Sequence, residues 1–180
     1  VSYFNMVELK RPEIEFSLEE KDSKLRSLIA GYGALIVAYS GGVDSTFLAG
    51  VAHDVLGKNA LAVTSRSPSV APEDLKSAAG LAYARGWRHL VVDTDEMNDP
   101  RYLANDGRRC FFCKTELYTH LDKVAGDESI GLVANGANTD DLGDYRPGME
   151  AAKNFEVVSP LVEARMNKQD IRDLSKRMDL

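Results

Sequence analysis

An apolar run that leads into a short glycine-containing turn constrains the fold of this chain most strongly. Residues 34–39 read Ala-Leu-Ile-Val-Ala-Tyr, a run of strand length that is typical of a strand covered on both faces. The turn that follows reads Ser40-Gly41-Gly42-Val43-Asp44-Ser45, and residues 46–56 then have the pattern of a helix. Adjacent glycines let a ligand approach the main chain, and the free amides of a helix N-terminus attract anions. The turn therefore predicts a phosphate-binding loop.

The rest of the chain alternates between strand and helix patterns. Ser17 and Glu20 form a capping box that opens a helix, and Gly31 and Gly33 follow it as stop signals. Further helices are predicted over 72–85, 113–124 and 168–178, and further strands over 60–64, 90–93, 130–135 and 157–159. This alternation predicts an α/β fold with a doubly wound parallel sheet of Rossmann-like type.

Ligands of such sheets bind outside the carboxyl ends of the strands. The polar segments that follow the predicted strands are 40–45, 65–69, 93–96 and 136–141. We therefore expect the functional residues to come from these four segments.

Composition limits the classes of function. The 180 residues include 22 Lys and Arg against 28 Asp and Glu, a net charge of -6, so a nucleic-acid partner is not expected. No apolar run is long enough to span a membrane, and two cysteines suit a reducing cytoplasmic setting. We expect an N-terminal extension over 1–16 and one domain over 17–180. The chain stops just after a helical pattern, and we expect a further region beyond Leu180.

The turn differs from two other phosphate-binding motifs and partly resembles a hydrolase motif. It lacks the Lys of a Walker A loop and the glycine spacing of a dinucleotide-binding turn. Residues 38–42 also resemble a nucleophile elbow with Ser40 as the nucleophile, which would require a histidine partner. The three histidines, His53, His89 and His120, do not fall in the expected catalytic loops.

The Ser-Gly-Gly-Val-Asp-Ser turn resembles the signature of the PP-loop, or N-type ATP pyrophosphatase, superfamily. The segment Gly136-Ala137-Asn138-Thr139-Asp140-Asp141 is similar to a second element of that superfamily, with Ala137 in place of the usual Thr. The resemblance implies an adenine-nucleotide α-hydrolase-like fold that uses ATP and Mg²⁺ to form AMP and pyrophosphate.

Three further segments resemble the LarE family of ATP-dependent sulfur transferases: residues 109–118, 144–148 and 159–161. That resemblance implies adenylation of a small-molecule carboxylate, a pyridinium mononucleotide, followed by sulfur transfer from a cysteine beyond Leu180, in a homo-oligomer. Amidation of the NAD or GMP synthetase kind, tRNA thiolation and a non-catalytic nucleotide-binding module remain as alternatives.

The site residues follow from the motifs and the resemblance. Mg²⁺ prefers carboxylates beside phosphates, so Asp44, Asp140 and Asp141 are the predicted metal ligands. Asp44, Lys114 and Asp140 are the predicted catalytic residues. The predicted nucleotide-binding residues are Ala38, Ser40, Gly41, Gly42, Val43, Asp44, Ser45, Thr64, Arg66 and Gly136. Further candidate contacts to anions are Arg109, Arg146 and Lys168.

Cys110 and Cys113 form a C-x-x-C pair with several interpretations. Small buried thiols are the commonest use of cysteine, whereas such pairs also occur as redox couples or as half of a zinc site. The pattern places Cys113 at the start of a helix, where the helix would lower the pKa of its thiol.

Overall fold

A computed structural model describes residues 16–104, 107–143 and 147–180 of the chain. Its helices are α1 (Leu18–Tyr32), α2 (Val43–Leu56), α3 (Pro72–Ala84), α4 (Pro100–Leu103), α5 (Arg109–Glu128), α6 (Pro147–Asn154), α7 (Pro160–Glu163) and α8 (Lys168–Arg177). Its strands are β1 (Leu35–Ala38), β2 (Ala60–Arg66), β3 (His89–Asp93) and β4 (Val133–Ala134). Most of the predicted N-terminal extension, together with Arg146, lies outside the described residues.

The four strands form one parallel sheet in the order β3-β2-β1-β4. Each pair of neighbouring strands is connected in sequence through at least one helix, as parallel pairing requires. Because β1 lies inside the sheet and the chain winds outward from it in both directions, the predicted doubly wound α/β fold is confirmed.

The predicted fifth strand over 157–159 is reduced to a single bridge between Ala134 and Val158. Val158 N–H donates to the carbonyl of Val133 at 2.9 Å, and Asn135 N–H donates to the carbonyl of Val158 at 3.1 Å. Pro160 then opens α7 and takes the backbone out of the extended conformation, which ends the pairing.

Both faces of the sheet are covered. Leu35 and Val37 point into a cluster built mainly on α1, α2 and α8, whereas Ile36 points into a second cluster built on α5 and α6. All three side chains are fully buried. This explains why β1 is continuously apolar, since alternate side chains enter different cores.

Among the helices that the structure describes, α2 is the most deeply buried, because every residue from 45 to 52 is buried. It begins directly after the glycine turn, with Gly42 as its N-cap, and ends before Gly57. Burial on all sides fixes the position of its N-terminus at the carboxyl end of β1.

Helix α5 begins at Arg109, four residues before the predicted start at Cys113. The carbonyl of Arg108 accepts from Phe111 N–H at 2.9 Å, and Phe111 packs against the second core cluster. Packing of Phe111 thus extends the helix toward its N-terminus, so the prediction that Cys113 opens it was wrong. Among the described residues, no helix is both long and apolar enough to cross a membrane.

Candidate active site

Strands β1, β2 and β4 end at one edge of the sheet, and a cavity of about 280 Å³ opens there. The strand ends supply Ala38, Val63 and Ser65, and the glycine turn supplies Ser40 and Ser45. The opposite wall comes from α5 and α6 and from the segment after β4, with residues Cys110, Lys114, Leu117, Tyr118, Asn135, Gly136, Ala137, Asp141, Gly148 and Met149. Three of the four polar segments expected at this edge therefore contribute to one cavity or its rim.

The turn from Ser40 to Ser45 is held by its own serine side chains. Ser45 Oγ donates to the carbonyl of Gly42 at 3.0 Å and accepts from Ser40 N–H at 3.2 Å. The two serine hydroxyls lie 3.1 Å apart. Gly41 has φ +81°, and a Cβ there would lie 3.0 Å from Ala78 Cβ on α3. These contacts fix an open loop at the N-terminus of α2, where an anion is favoured.

Gly136 lets the two predicted motifs come together. A Cβ at this position would lie 2.9 Å from Ser45 N and 3.1 Å from Ser45 Cα. The segment after β4 therefore touches the main chain of the phosphate loop, which only glycine permits.

Asn138 joins the carboxylates of the two motifs. It is fully buried, and its Nδ2 donates to Asp44 Oδ2 at 3.1 Å. Its Oδ1 accepts from Asp140 N–H at 3.0 Å, and its own N–H donates to Asp141 Oδ2 at 3.1 Å. Asn138 thus links Asp44 and the backbone of Asp140 through its side chain, and Asp141 through its own backbone N–H.

The local electrostatics favour a proton or a cation at Asp44. Burial raises the pKa of Asp44, the nearby Lys168 charge opposes that rise, and the Asp141 charge adds to it. A half-buried carboxylate beside a second carboxylate gains from a bound cation, because the cation offsets both burial and repulsion.

The three aspartates are not a complete metal cage. Within the ranges that the structure describes, no three His, Cys, Asp or Glu side chains form a group able to hold a metal ion alone. Asp140 Oδ2 accepts from Lys168 N–H at 3.0 Å, so backbone donors engage this carboxylate as well as that of Asp141. Mg²⁺ is commonly held by one or two carboxylates together with substrate phosphates, and Asp44 with Asp141 suits that arrangement.

Two predicted nucleotide contacts on β2 do not point into the cavity. Thr64 is buried, and its hydroxyl lies 2.8 Å from His89 Nε2, whereas its neighbours Val63 and Ser65 line the cavity. Arg66 is exposed and forms a bidentate pair with Asp93, at 2.6 and 2.8 Å. Side chains alternate between the two faces of a strand, so Thr64 points away from the face on which its neighbours Val63 and Ser65 line the cavity.

The remaining candidates have varied positions. Lys114 lines the cavity, whereas Val43 is exposed and is not among the residues that line it. Lys168 opens α8, where its N–H reaches Asp140. Arg109 lies over the ring of Tyr102 and donates to its hydroxyl at 2.6 Å.

The hydrolase alternative gains no support from the described contacts. The Ser40 hydroxyl meets Ser45 and Gly42 N–H, while His53 contacts the carbonyl of Ala49 and His120 contacts Glu116.

Sequence reasoning missed Asn135 and Tyr118. Asn135 Oδ1 accepts from Ala137 N–H and from Ser159 Oγ, both at 3.0 Å, and so shapes the segment after β4. Burial raises the pKa of Tyr118, which lies under the cavity on α5. Asn135 could have been predicted as a site residue, because it directly follows β4 at the edge of the sheet where ligands bind. Tyr118 ends the segment 109–118 that resembles the LarE family, but it was not named as a site residue.

The two cysteines have different surroundings. Cys110 is exposed and lines the cavity, while Cys113 is half-buried one turn further along α5. Burial, followed by the charge of Glu96, raises the pKa of the Cys113 thiol. The predicted lowering was therefore wrong, since Cys113 does not lie at the helix start.

No family model matches the chain. A protein of Synechocystis described as uncharacterized is 45% identical over 163 residues, which are 91% of this chain and 61% of that protein. Pyridinium-3,5-bisthiocarboxylic acid mononucleotide synthase of Lactiplantibacillus plantarum is 30% identical over 165 residues, 91% of this chain and 60% of that protein. The chain thus spans about three fifths of the length of these relatives.

Solved structures share the fold. NH3-dependent NAD synthetase from Campylobacter jejuni has a TM-score of 0.70 at 16% identity, covering 92% of this chain and 75% of its own. U34-tRNA thiolase from Methanococcus maripaludis has a TM-score of 0.69 at 16% identity, covering 91% and 64%. The predicted resemblance to PP-loop enzymes and to the LarE synthase is confirmed.

Proposed function

We propose that this chain is the ATP-binding part of an adenylating enzyme, which joins a substrate carboxylate to AMP and releases pyrophosphate. The observation that carries the proposal is the contact between the Ser40–Ser45 loop and Gly136. It brings the N-terminus of α2 and the Asp44–Asn138–Asp141 network together at the mouth of one cavity, which supports a phosphate site there.

The cavity suits a nucleotide with its phosphates at the loop. Loop amides and the Ser40 and Ser45 hydroxyls supply donors for the phosphate oxygens. The ends of β1 and β2, at Ala38, Val63 and Ser65, supply an apolar and backbone-rich wall for the adenine base. Asp44 and Asp141 would hold Mg²⁺, which when bound neutralises charge on the departing pyrophosphate.

The reaction needs no nucleophile from the protein. An oxygen of the substrate carboxylate attacks the α-phosphorus, and the bond from that phosphorus to the pyrophosphate oxygen breaks. Lys114 faces the cavity from α5, where its ammonium group holds the anionic substrate against the nucleotide. The loop donors stabilise the charge that develops on the leaving group, so positioning and electrostatics supply the rate enhancement.

The finer proposal is that the activated acyl group then accepts sulfur. The support is the 30% identity to a synthase whose product is a pyridinium bisthiocarboxylic acid mononucleotide. The corresponding dicarboxylic acid mononucleotide is the substrate that this likeness suggests. A cytoplasmic location and a homo-oligomeric assembly belong to the same proposal.

The test uses the full-length protein with ATP, Mg²⁺ and the dicarboxylic acid mononucleotide labelled with ¹⁸O in its carboxylates. We expect AMP and pyrophosphate in equal amounts, with one ¹⁸O atom in the AMP, because the carboxylate oxygen stays on phosphorus when the acyl group is transferred. Release of ADP and phosphate, or AMP without ¹⁸O, would rule the proposal out.

The variant Asp44→Asn tests the role of the Asp44 carboxylate, and Asp127→Asn on the exposed end of α5 is its control. We expect Asp44→Asn to lower pyrophosphate release by about 100-fold or more, since it removes charge that serves the departing group. Asp127→Asn should retain the full rate. Equal rates of pyrophosphate release for the two variants would show that Asp44 has no role in the reaction.

A further inference from the structure

We propose that the Tyr118 hydroxyl is a catalytic donor in the acyl-transfer step that follows adenylation. It donates to the substrate oxygen that remains on the acyl carbon after the other carboxylate oxygen has joined phosphorus. This inference rests on the proposed function and deepens it, because it assigns a residue to the second half of the reaction. The adenylation step as proposed uses Lys114 from α5 and leaves Tyr118 without a role.

Tyr118 faces the same cavity as Lys114. The two residues are four positions apart on α5, which is about one helical turn, so their side chains lie on one face of the helix. Both line the cavity at the carboxyl ends of the strands, although Tyr118 is only 2% exposed. The Cβ atoms of such a pair are about 5–6 Å apart. A substrate carboxylate that the Lys114 ammonium holds is therefore held beside Tyr118.

The surroundings of Tyr118 keep its hydroxyl protonated. Burial raises the pKa of Tyr118 above the ordinary value of 10.0, and a hydrogen bond from the Asn135 side chain opposes that rise without cancelling it. At neutral pH the phenol is therefore neutral and can donate. An interaction that lowers the pKa of a phenol is one that stabilises its oxygen as an acceptor, so Asn135 is the donor in this contact.

Asn135 also fixes the direction in which Tyr118 donates. Asn135 Oδ1 accepts from Ala137 N–H and from Ser159 Oγ, both at 3.0 Å. These two hydrogen bonds hold the amide in one orientation and leave Nδ2 as the atom that contacts the phenol. Because the Tyr118 oxygen accepts from Asn135, its own proton is available to a ligand in the cavity.

The two steps of the reaction change the charge on the acyl oxygen in opposite directions. During adenylation one carboxylate oxygen bonds to phosphorus, and the other loses negative charge as it becomes a carbonyl oxygen. During acyl transfer a thiolate sulfur bonds to the acyl carbon, and an electron pair of the carbonyl bond moves onto that oxygen. The carbonyl then re-forms, the bond to the AMP oxygen breaks, and AMP leaves with the electron pair. A donor at the acyl oxygen therefore assists acyl transfer and not adenylation.

The test compares Tyr118→Phe with the wild type in the full-length protein, with ATP, Mg²⁺ and the dicarboxylic acid mononucleotide. Exchange of labelled pyrophosphate into ATP measures adenylation. Hydroxylamine, which converts the acyl-adenylate to a hydroxamate and AMP, measures acyl transfer. We expect Tyr118→Phe to slow hydroxamate formation by about 100-fold, the loss typical of one donor to a developing oxyanion. Pyrophosphate exchange should stay within about twofold of the wild-type rate.

Tyr32→Phe is the matched control. It removes the hydroxyl of a half-buried tyrosine on α1, which is not among the residues that line the cavity. We expect both rates to equal those of the wild type. Pyrophosphate exchange by each variant also shows that it has folded with an intact nucleotide site.

The outcomes separate this inference from the proposed function. Hydroxamate formation at the wild-type rate in Tyr118→Phe would overturn the inference and leave the proposed adenylation standing. An equal loss in both assays would also overturn it, because Tyr118 would then serve substrate binding or the fold. Wild-type protein that exchanges no pyrophosphate would overturn the proposed function and this inference together.

Discussion

At the scale of single residues, the edge of the sheet that carries the candidate site holds a carboxylate whose burial costs stability. Asp44 is a carboxylate in a half-buried position, and burial raises its pKa above the ordinary value of 3.8. A group whose pKa is higher in the folded state binds its proton more tightly when folded, so its ionisation costs stability. That cost is absent below pH 3.8 and grows as the pH rises through the raised folded value.

We therefore expect Asp44→Asn to stabilise the ligand-free protein at neutral pH. The Asn oxygen can still accept from Asn138, while the buried charge is gone. Urea unfolding of both proteins at several pH values checks this, and the advantage of the variant should vanish below pH 3.8. A variant that is less stable at neutral pH would show that the charge is already compensated.

At the scale of elements, the site depends on two segments that touch through their main chains. Replacing Gly136 with Ala would drive a Cβ into the backbone at Ser45, which no side-chain rotation relieves. We expect Gly136→Ala to lower the free energy of unfolding by about 1–3 kcal/mol, the range seen for overpacked sites. Chemical denaturation measures the loss.

Gly131→Ala is the matched control for this substitution. Gly131 lies just before β4, the strand that Gly136 follows, and a Cβ at Gly131 would meet nothing within 4 Å. We expect its free energy of unfolding to stay within about 0.5 kcal/mol of the wild type. Similar losses in both variants would mean that glycine flexibility before and after β4, and not the contact with Ser45, sets the stability.

The elements were predictable where local pattern and tertiary packing agree. The capping box at Ser17, the apolar β1 and the loop before α2 are encoded in short stretches, and the structure has all three. The start of α5 could not be predicted from local pattern, because Phe111 packs against a cluster of residues distant in sequence and so extends the helix. Thr64 was misplaced by one strand position, since the facing of β2 is set by its pairing with β1.

The residues of the candidate site also differ in how far local sequence patterns predict them. The loop and the segment 136–141 have sequence signatures, so their meeting at the sheet edge follows from parallel topology. Asn135 joins the site through a contact with Ser159 across the sheet edge, which no short pattern records. Tyr118 lies in the segment 109–118, but only the packing of α5 shows that it lines the cavity.

At the scale of the whole molecule, burial is unevenly distributed. Residues 45–52 of α2 are all buried, whereas α4 is a four-residue helix in which Tyr102 alone is buried. Amides in such a central element exchange only when most of the structure opens.

Hydrogen exchange checks this distribution. We expect the amides of α2 and β1 to exchange slowest and those of α4 to exchange fastest among the helices that the structure describes. Equal protection in α2 and α4 would mean that the domain opens as a single unit, and the uneven burial would then have no energetic counterpart.

The contact between Gly136 and the loop also bears on the order in which the molecule assembles. Asp44 and Asn138 are 94 residues apart in sequence, and the pairing of the two-residue strand β4 with β1 helps to bring them together. A growing chain can pair β1 with β2 long before β4 has been synthesised, so the sheet begins to form without a site. Closing so long a loop is a late and entropically costly step. Nucleotide binding would thus report that the last strand has docked.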